Sequence, residues 1–147
     1  MFANSSHFAP NNSGHAARSL AGAYARVRNE TGLIGADAHQ LISMLFDGLF
    51  NNLQEARGAM LRGDVAAKCA ALTRSARIVE EGLNAGLNRD AGLEVADNLH
   101  TLYGYLGVLI TKANLYNNPA LVDEALTLVD PIRQAWKSIA PAQKAAN

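Results

Sequence analysis

The stretch Glu94-Val95-Ala96-Asp97-Asn98-Leu99-His100-Thr101-Leu102-Tyr103-Gly104-Tyr105-Leu106-Gly107-Val108-Leu109-Ile110-Thr111-Lys112-Ala113-Asn114-Leu115-Tyr116 decides the fold. Within it Val95, Leu99, Leu102, Leu106, Leu109, Ala113 and Tyr116 recur at alternating steps of four and three. Residues so spaced share one face of an α-helix, whereas a half-buried strand alternates at every second residue. A second row, Ala96, His100, Tyr103, Gly107, Ile110 and Asn114, has the same step, and Tyr105, Val108 and Leu115 lie elsewhere on the circumference. The apolar surface of this helix is therefore wider than one bundle seam requires. Burial among three neighbours and a groove for a partner helix both account for that width.

Outward from this helix the same period recurs. Upstream, Asn88-Arg89-Asp90-Ala91-Gly92 is a break, and before it Val65, Cys69, Leu72, Ala76, Val79, Leu83 and Leu87 form another stripe, opened by Gly63 as a stop and Asp64 as an N-cap. Further upstream, Leu41, Leu45, Leu49, Leu53, Ala56 and Met60 predict a helix from about Ala38 to about Arg62, with Asp37 and Gln40 as a variant capping box. Downstream, Asn117-Asn118-Pro119 supplies a turn, an N-cap and a proline suited to the first helical position. Leu121, Ala125, Leu128, Ile132, Ala135 and Ile139 follow. Pro131 lies inside this last helix, so either the helix kinks there or Asp130-Pro131 opens a short fifth helix carrying Trp136. Short loops between long helices predict an all-α, antiparallel up-down four-helix bundle over residues 37–140.

The N-terminal part has a different character. Residues 1–22 are rich in Asn, Ser, Ala, Gly and His, with Arg18 the only charged residue, and predict a disordered tail. In 23–36 the apolar Tyr24, Val27, Leu33 and Ile34 are irregularly spaced around Gly32 and Gly35, which argues against a long element and predicts an arm that docks on the body. Residues 141–147 are a C-terminal tail.

Composition bounds the function. The chain has 147 residues, 49% apolar and 18% charged, enough to bury one core. Thirteen basic residues balance thirteen acidic ones, so there is no basic field to hold nucleic acid by counterion release. The single cysteine, Cys69, excludes an internal disulfide and fits a reducing, cytoplasmic home. The N-terminus lacks the basic and apolar regions of a secretory signal, and the apolar stretch 98–111 is too short for a membrane span of about 20 residues.

Catalytic and metal chemistry find little support. None of the four histidines follows a Glu by three residues, and no two share a helix face at four-residue spacing, so neither a metal site nor a cofactor is expected. A nucleophile elbow, a Walker loop and a dinucleotide fingerprint are all missing. His100-Thr101-Leu102-Tyr103-Gly104 resembles the histidine motif of phosphotransfer bundles, although those carry a lysine where Tyr103 stands. A generic helical adaptor that self-associates into a homodimer through the broad apolar face is a third reading. Interior glycines at 48, 58, 82, 86, 104 and 107 each cost about 1 kcal/mol relative to alanine, and ask for close packing inside the bundle or against another chain.

Several blocks in order carry a further resemblance. They are Ala23-Tyr24-x-x-Val27, His39-Gln40-Leu41-Ile42-x-Met44-Leu45-Phe46-Asp47-Gly48, Gly63-Asp64-Val65-x-x-Lys68 and Gly82-Leu83-x-x-Gly86-Leu87. After these come Glu94-x-Ala96-x-Asn98-Leu99-x-x-Leu102-Tyr103-x-Tyr105, Ala113-Asn114-Leu115 and Ala135-Trp136-Lys137. From Ala23 to Ile139 the chain resembles the flagellin-specific export chaperones of the FliS family. The resemblance implies a non-enzymatic cytoplasmic bundle that binds the disordered C-terminal segment of flagellin, prevents premature polymerisation and helps present the subunit to the FlhA component of the export gate. It also implies that an arm carrying the tyrosine block covers a hydrophobic pocket in the free chaperone. By position, the partner-binding residues are then Tyr24 and Val27 on the arm, Asn98, Tyr103, Leu106, Ile110 and Asn114 along the helix of 94–116, and Trp136 near the end. Asn98 and Asn114 would set the register of the bound segment.

Overall fold

The computed structural model describes residues 20–91 and 93–139, and the regular structure in them is helical. The expected tail over 1–19 and the C-terminal tail 141–147 lie outside the described residues. The docked arm starts at Leu20, inside the segment assigned to the tail, because Leu20 is buried and 20–23 form a helical turn. After Tyr24, α1 spans Ala25–Thr31 and ends on Gly32 in the left-handed conformation (φ 69°).

The body consists of α2 (Gly35–Arg62), α3 (Val65–Arg77), which continues as a π-helical segment over Ile78–Asn84, α4 (Glu94–Tyr116) and α5 (Pro119–Ser138). The helix α2 starts ahead of the expected capping box. Ile34 is its N-cap and accepts from the Ala38 amide at 2.9 Å, so Asp37 lies in the first turn, where its charge meets the positive helix end.

Both tight turns use the expected chemistry. Gly63, at φ 73°, lets the chain reverse, with the Asp64 amide reaching back to the Ala59 carbonyl at 2.9 Å, while the Asp64 carboxylate accepts from the Ala67 amide at 3.1 Å. Asn117 adopts the left-handed conformation after α4, and Asn118 caps α5 by accepting from the Ala120 amide at 3.0 Å, with Pro119 at the first helical position. These two turns lie at one end of the bundle. The arm, residues 87–91 and the end of α5 lie at the other.

Pro131 neither ends α5 nor opens a separate fifth helix: α5 runs through it. The carbonyl four residues back, on Thr127, loses its donor, but Thr127 and Pro131 are both exposed, so water can take its place.

Around the ring α2 packs on α3 and α5, and α4 on α3 and α5. The buried faces are rotated slightly from the sequence stripes. In α2 the core line is Ala38, Ile42, Phe46, Leu49, Leu53, Ala56 and Met60, with Leu41 and Leu45 on its flank. A step of four overshoots one helical turn by about 40°, so three such steps in a row carry Leu41 off the face that Leu53 occupies. In α5, likewise, Val122, Ala125, Val129 and Trp136 are buried while Ala135 is exposed. In α4 the core straddles the two predicted rows: Ala96, Leu99, Tyr103, Leu106, Leu109, Ile110 and Ala113 are buried and Tyr116 is exposed.

Candidate functional site

The arm meets the bundle through Tyr24. The backbone at Tyr24 (φ −111°, ψ 11°) interrupts the helical path between 20–23 and α1 and turns the ring inward. Tyr24 is 3% exposed, edge-on to Phe46 at 6.4 Å between ring centroids and to Trp136 at 5.5 Å. Its hydroxyl is hydrogen-bonded to that of Tyr103, which is also buried. Burial pushes both phenols above the usual tyrosine range. At Tyr24 the neighbouring Tyr103 adds to the rise, and at Tyr103 the bond from Tyr24 partly opposes it. Both are neutral phenols at any physiological pH.

Val27, one turn on, sits on Gly86, where a Cβ would stand 3.0 Å from Val27 Cγ2 and 3.1 Å from the Gly82 carbonyl oxygen. The Asn88 amide donates to the Ala23 carbonyl at 2.8 Å, fixing the arm's backbone to the connection that follows the π-helical segment.

The floor of this site is held by a reciprocal pair. Trp136 Nε1 donates to the His39 carbonyl at 3.0 Å, and His39 Nε2 donates to the Trp136 carbonyl at 3.0 Å. The two rings stack at 4.9 Å and 14°. The start of α2 is thereby tied to the end of α5, and Trp136 presents its other surface to Tyr24. His39 and Phe46 complete the site, and in the sequence each reads as an ordinary helix-face residue until the ends of α2 and α5 are brought together.

A second feature lies between α3 and α4. A groove of about 550 Å³ is lined by Lys68, Cys69, Leu72 and Ala76 on one side and Ile110, Asn114 and Leu115 on the other. Asn114 is committed there: its carbonyl accepts from Lys68 Nζ at 3.2 Å and its side-chain oxygen from Cys69 Sγ at 3.5 Å. Leu115 on its lining is exposed, and at the same end of the bundle Leu61, Val65 and Tyr116 are exposed as well. Val65, expected in the core stripe, is at the first turn of α3 and faces outward. Further along α4, Gly104 and Gly107 face open space, with Val108 exposed nearby.

The structure thus brings Tyr24, Val27, Tyr103 and Trp136 together at the arm, and places Ile110 and Asn114 apart from them at the groove. Leu106 is buried in the core, and Asn98 is exposed on the first turns of α4. Tyr103, Leu106 and Ile110, expected along a partner surface, are core side chains here, because the buried face of α4 falls between its two apolar rows. His100 is half-buried and donates from Nδ1 to Asn84 Oδ1 at 2.8 Å, tying α4 to the π-helical segment. Among the described residues there is no cluster of metal-binding side chains, and no helix is long and apolar enough to cross a membrane.

The structure is thus a helical bundle whose own arm fills an aromatic site and whose α3 and α4 leave a groove between them. Comparison with known proteins makes the assignment specific. The family model described as flagellar protein FliS matches residues 20–143. A flagellar secretion chaperone FliS from Salmonella typhimurium is 43% identical over 119 residues, covering 81% of this chain and 88% of that protein. The FliS chaperone of Escherichia coli is 34% identical over 115 residues (78% and 85%), and FliSB of Pseudomonas aeruginosa is 33% identical over 116 residues (79% and 91%). The chain belongs to the FliS family of flagellar secretion chaperones, which are not enzymes.

Proposed function

We propose that this chaperone binds the disordered C-terminal segment of flagellin in the cytoplasm, keeps it from polymerising and delivers it to FlhA at the flagellar export gate. The observation that carries the binding half is the groove between α3 and α4 with the exposed Leu115 on its lining. A segment that folds as it binds must offset its ordering cost by burying apolar surface on something preformed. Leu115 and Val108 offer such surface, and the open space over Gly104 and Gly107 admits the backbone of a second helix.

The variants that test this reading are exposed ones, because Tyr103 and Ile110 are buried and their loss would report on the core. Leu115→Asp lowers affinity for the flagellin segment by about tenfold or more, as expected for a charge set into an apolar contact, while helical content stays unchanged. Unchanged affinity in Leu115→Asp and Val108→Asp alike would remove this face from the site. Delivery rests on the family resemblance and is tested by whether FlhA copurifies with the chaperone–flagellin complex.

A further inference from the structure

The hydroxyls of Tyr24 and Tyr103 meet inside apolar surroundings. Among the described residues each is the other's hydrogen-bond partner, and no buried side-chain polar atom lacks one. The packing of the site does not need either hydroxyl. A phenylalanine at position 24 would keep the edge contacts with Phe46 and Trp136, and Val27 would still rest on Gly86. Shape alone therefore cannot tell tyrosine from any other large ring here.

The hydroxyl can. A buried polar group left without a partner costs more than a formed hydrogen bond gains, whereas removing both partners together is nearly neutral. We infer that Tyr103 is the specificity-determining residue of the arm site: its buried hydroxyl requires a hydrogen-bonding atom on whatever side chain occupies the site. Tyr24 meets that requirement and a purely apolar residue does not. A partner segment that displaces the arm must bring its own donor or acceptor to Tyr103 Oη, so apolar bulk alone does not open the site. Tyr103 also stands on α4, the helix that lines the groove through Ile110 and Asn114, so the arm and the groove share one element.

The test is a double-mutant cycle on the full chain, Tyr24→Phe, Tyr103→Phe and both together, in the absence of any partner. Two reporters follow arm docking. One is hydrogen exchange of the Asn88 amide, which is bonded to the Ala23 carbonyl. The other is the emission of Trp136, the single tryptophan, which packs against Tyr24. Each single variant is expected to speed Asn88 exchange about tenfold and to shift Trp136 emission, as an orphaned buried hydroxyl requires. The double variant is expected to return to within about threefold of the parent. Single variants that behave like the parent, or losses that multiply in the double variant, would overturn the inference. Tyr24→Phe alters the arm and leaves the bundle intact, so its result decides the matter even where Tyr103→Phe loosens the core. No flagellin enters this experiment, so its failure and a failure of the proposed function are separate results.

Discussion

Gly86 shows how far a single residue reaches in this molecule. Its missing side chain is the space in which Val27 lies, and the facing Gly82 carbonyl leaves no room for a shift away from the arm. Gly86→Ala is therefore expected to cost about 1–3 kcal/mol through overpacking and to raise hydrogen exchange along 20–31, with α2 to α5 unaffected. In the sequence Gly86 was one of six interior glycines with a cost to explain. Close packing explains it here, while Gly104 and Gly107 face open space, a difference that becomes visible only once the neighbours are placed.

Asp47 makes a prediction of the electrostatic kind. Partial burial raises its pKa, but hydrogen bonds from Lys137 Nζ at 2.9 Å and Arg133 Nε at 2.7 Å outweigh this and hold it below the usual carboxylate range. A depressed folded-state pKa gives stability that is complete above the unfolded value, about 4, and is lost as pH falls through the folded one. Asp47→Asn should thus lower the melting temperature at pH 7, by less than about 1 kcal/mol in stability because the carboxylate is 37% exposed and screened. In melts at successively lower pH the gap between parent and variant should close once the pH drops below about 4.

At the scale of elements, chain reversals were the most legible part of the sequence. Gly63-Asp64 and Asn117-Asn118-Pro119 act through contacts within a few residues, so local chemistry suffices to place them. Asp64→Ala should cost about 1 kcal/mol, measurable by chemical denaturation, since the Ala67 amide loses its cap. What local chemistry could not supply is the rotation of each helix about its axis. The buried faces of α4 and α5 differ from the sequence stripes because several apolar residues compete for each seam, and the neighbours choose between them. The π-helical segment Ile78–Asn84 was equally hidden. Its Ala85 amide bonds to the Glu80 carbonyl five residues back, and its wider turn keeps Val79 and Leu83, four apart, on the core side. The sequence shows the same step as an ordinary helix. Likewise α1 is too short to impose a period, and its place is set by Tyr24 and Val27 finding their site rather than by propensity.

For the whole molecule, the ring of α2 to α5 places the arm site at one end and the α3–α4 groove nearer the other. The arm residues proposed from sequence, Tyr24 and Val27, meet Tyr103 and Trp136 in one place, although nothing in their spacing joins residues so far apart in the chain. The groove was less legible: Lys68, Cys69 and Leu72 face Ile110, Asn114 and Leu115 only through the antiparallel return of α4 beside α3. The proposal that this body folds a flagellin segment onto itself is checked by calorimetric titration of the full chain with about the last 40 residues of its cognate flagellin, long enough for several docking helices. One-to-one binding, with a large negative heat-capacity change and a gain of helix by circular dichroism, is expected. Absence of binding, or binding without either signature, would contradict it.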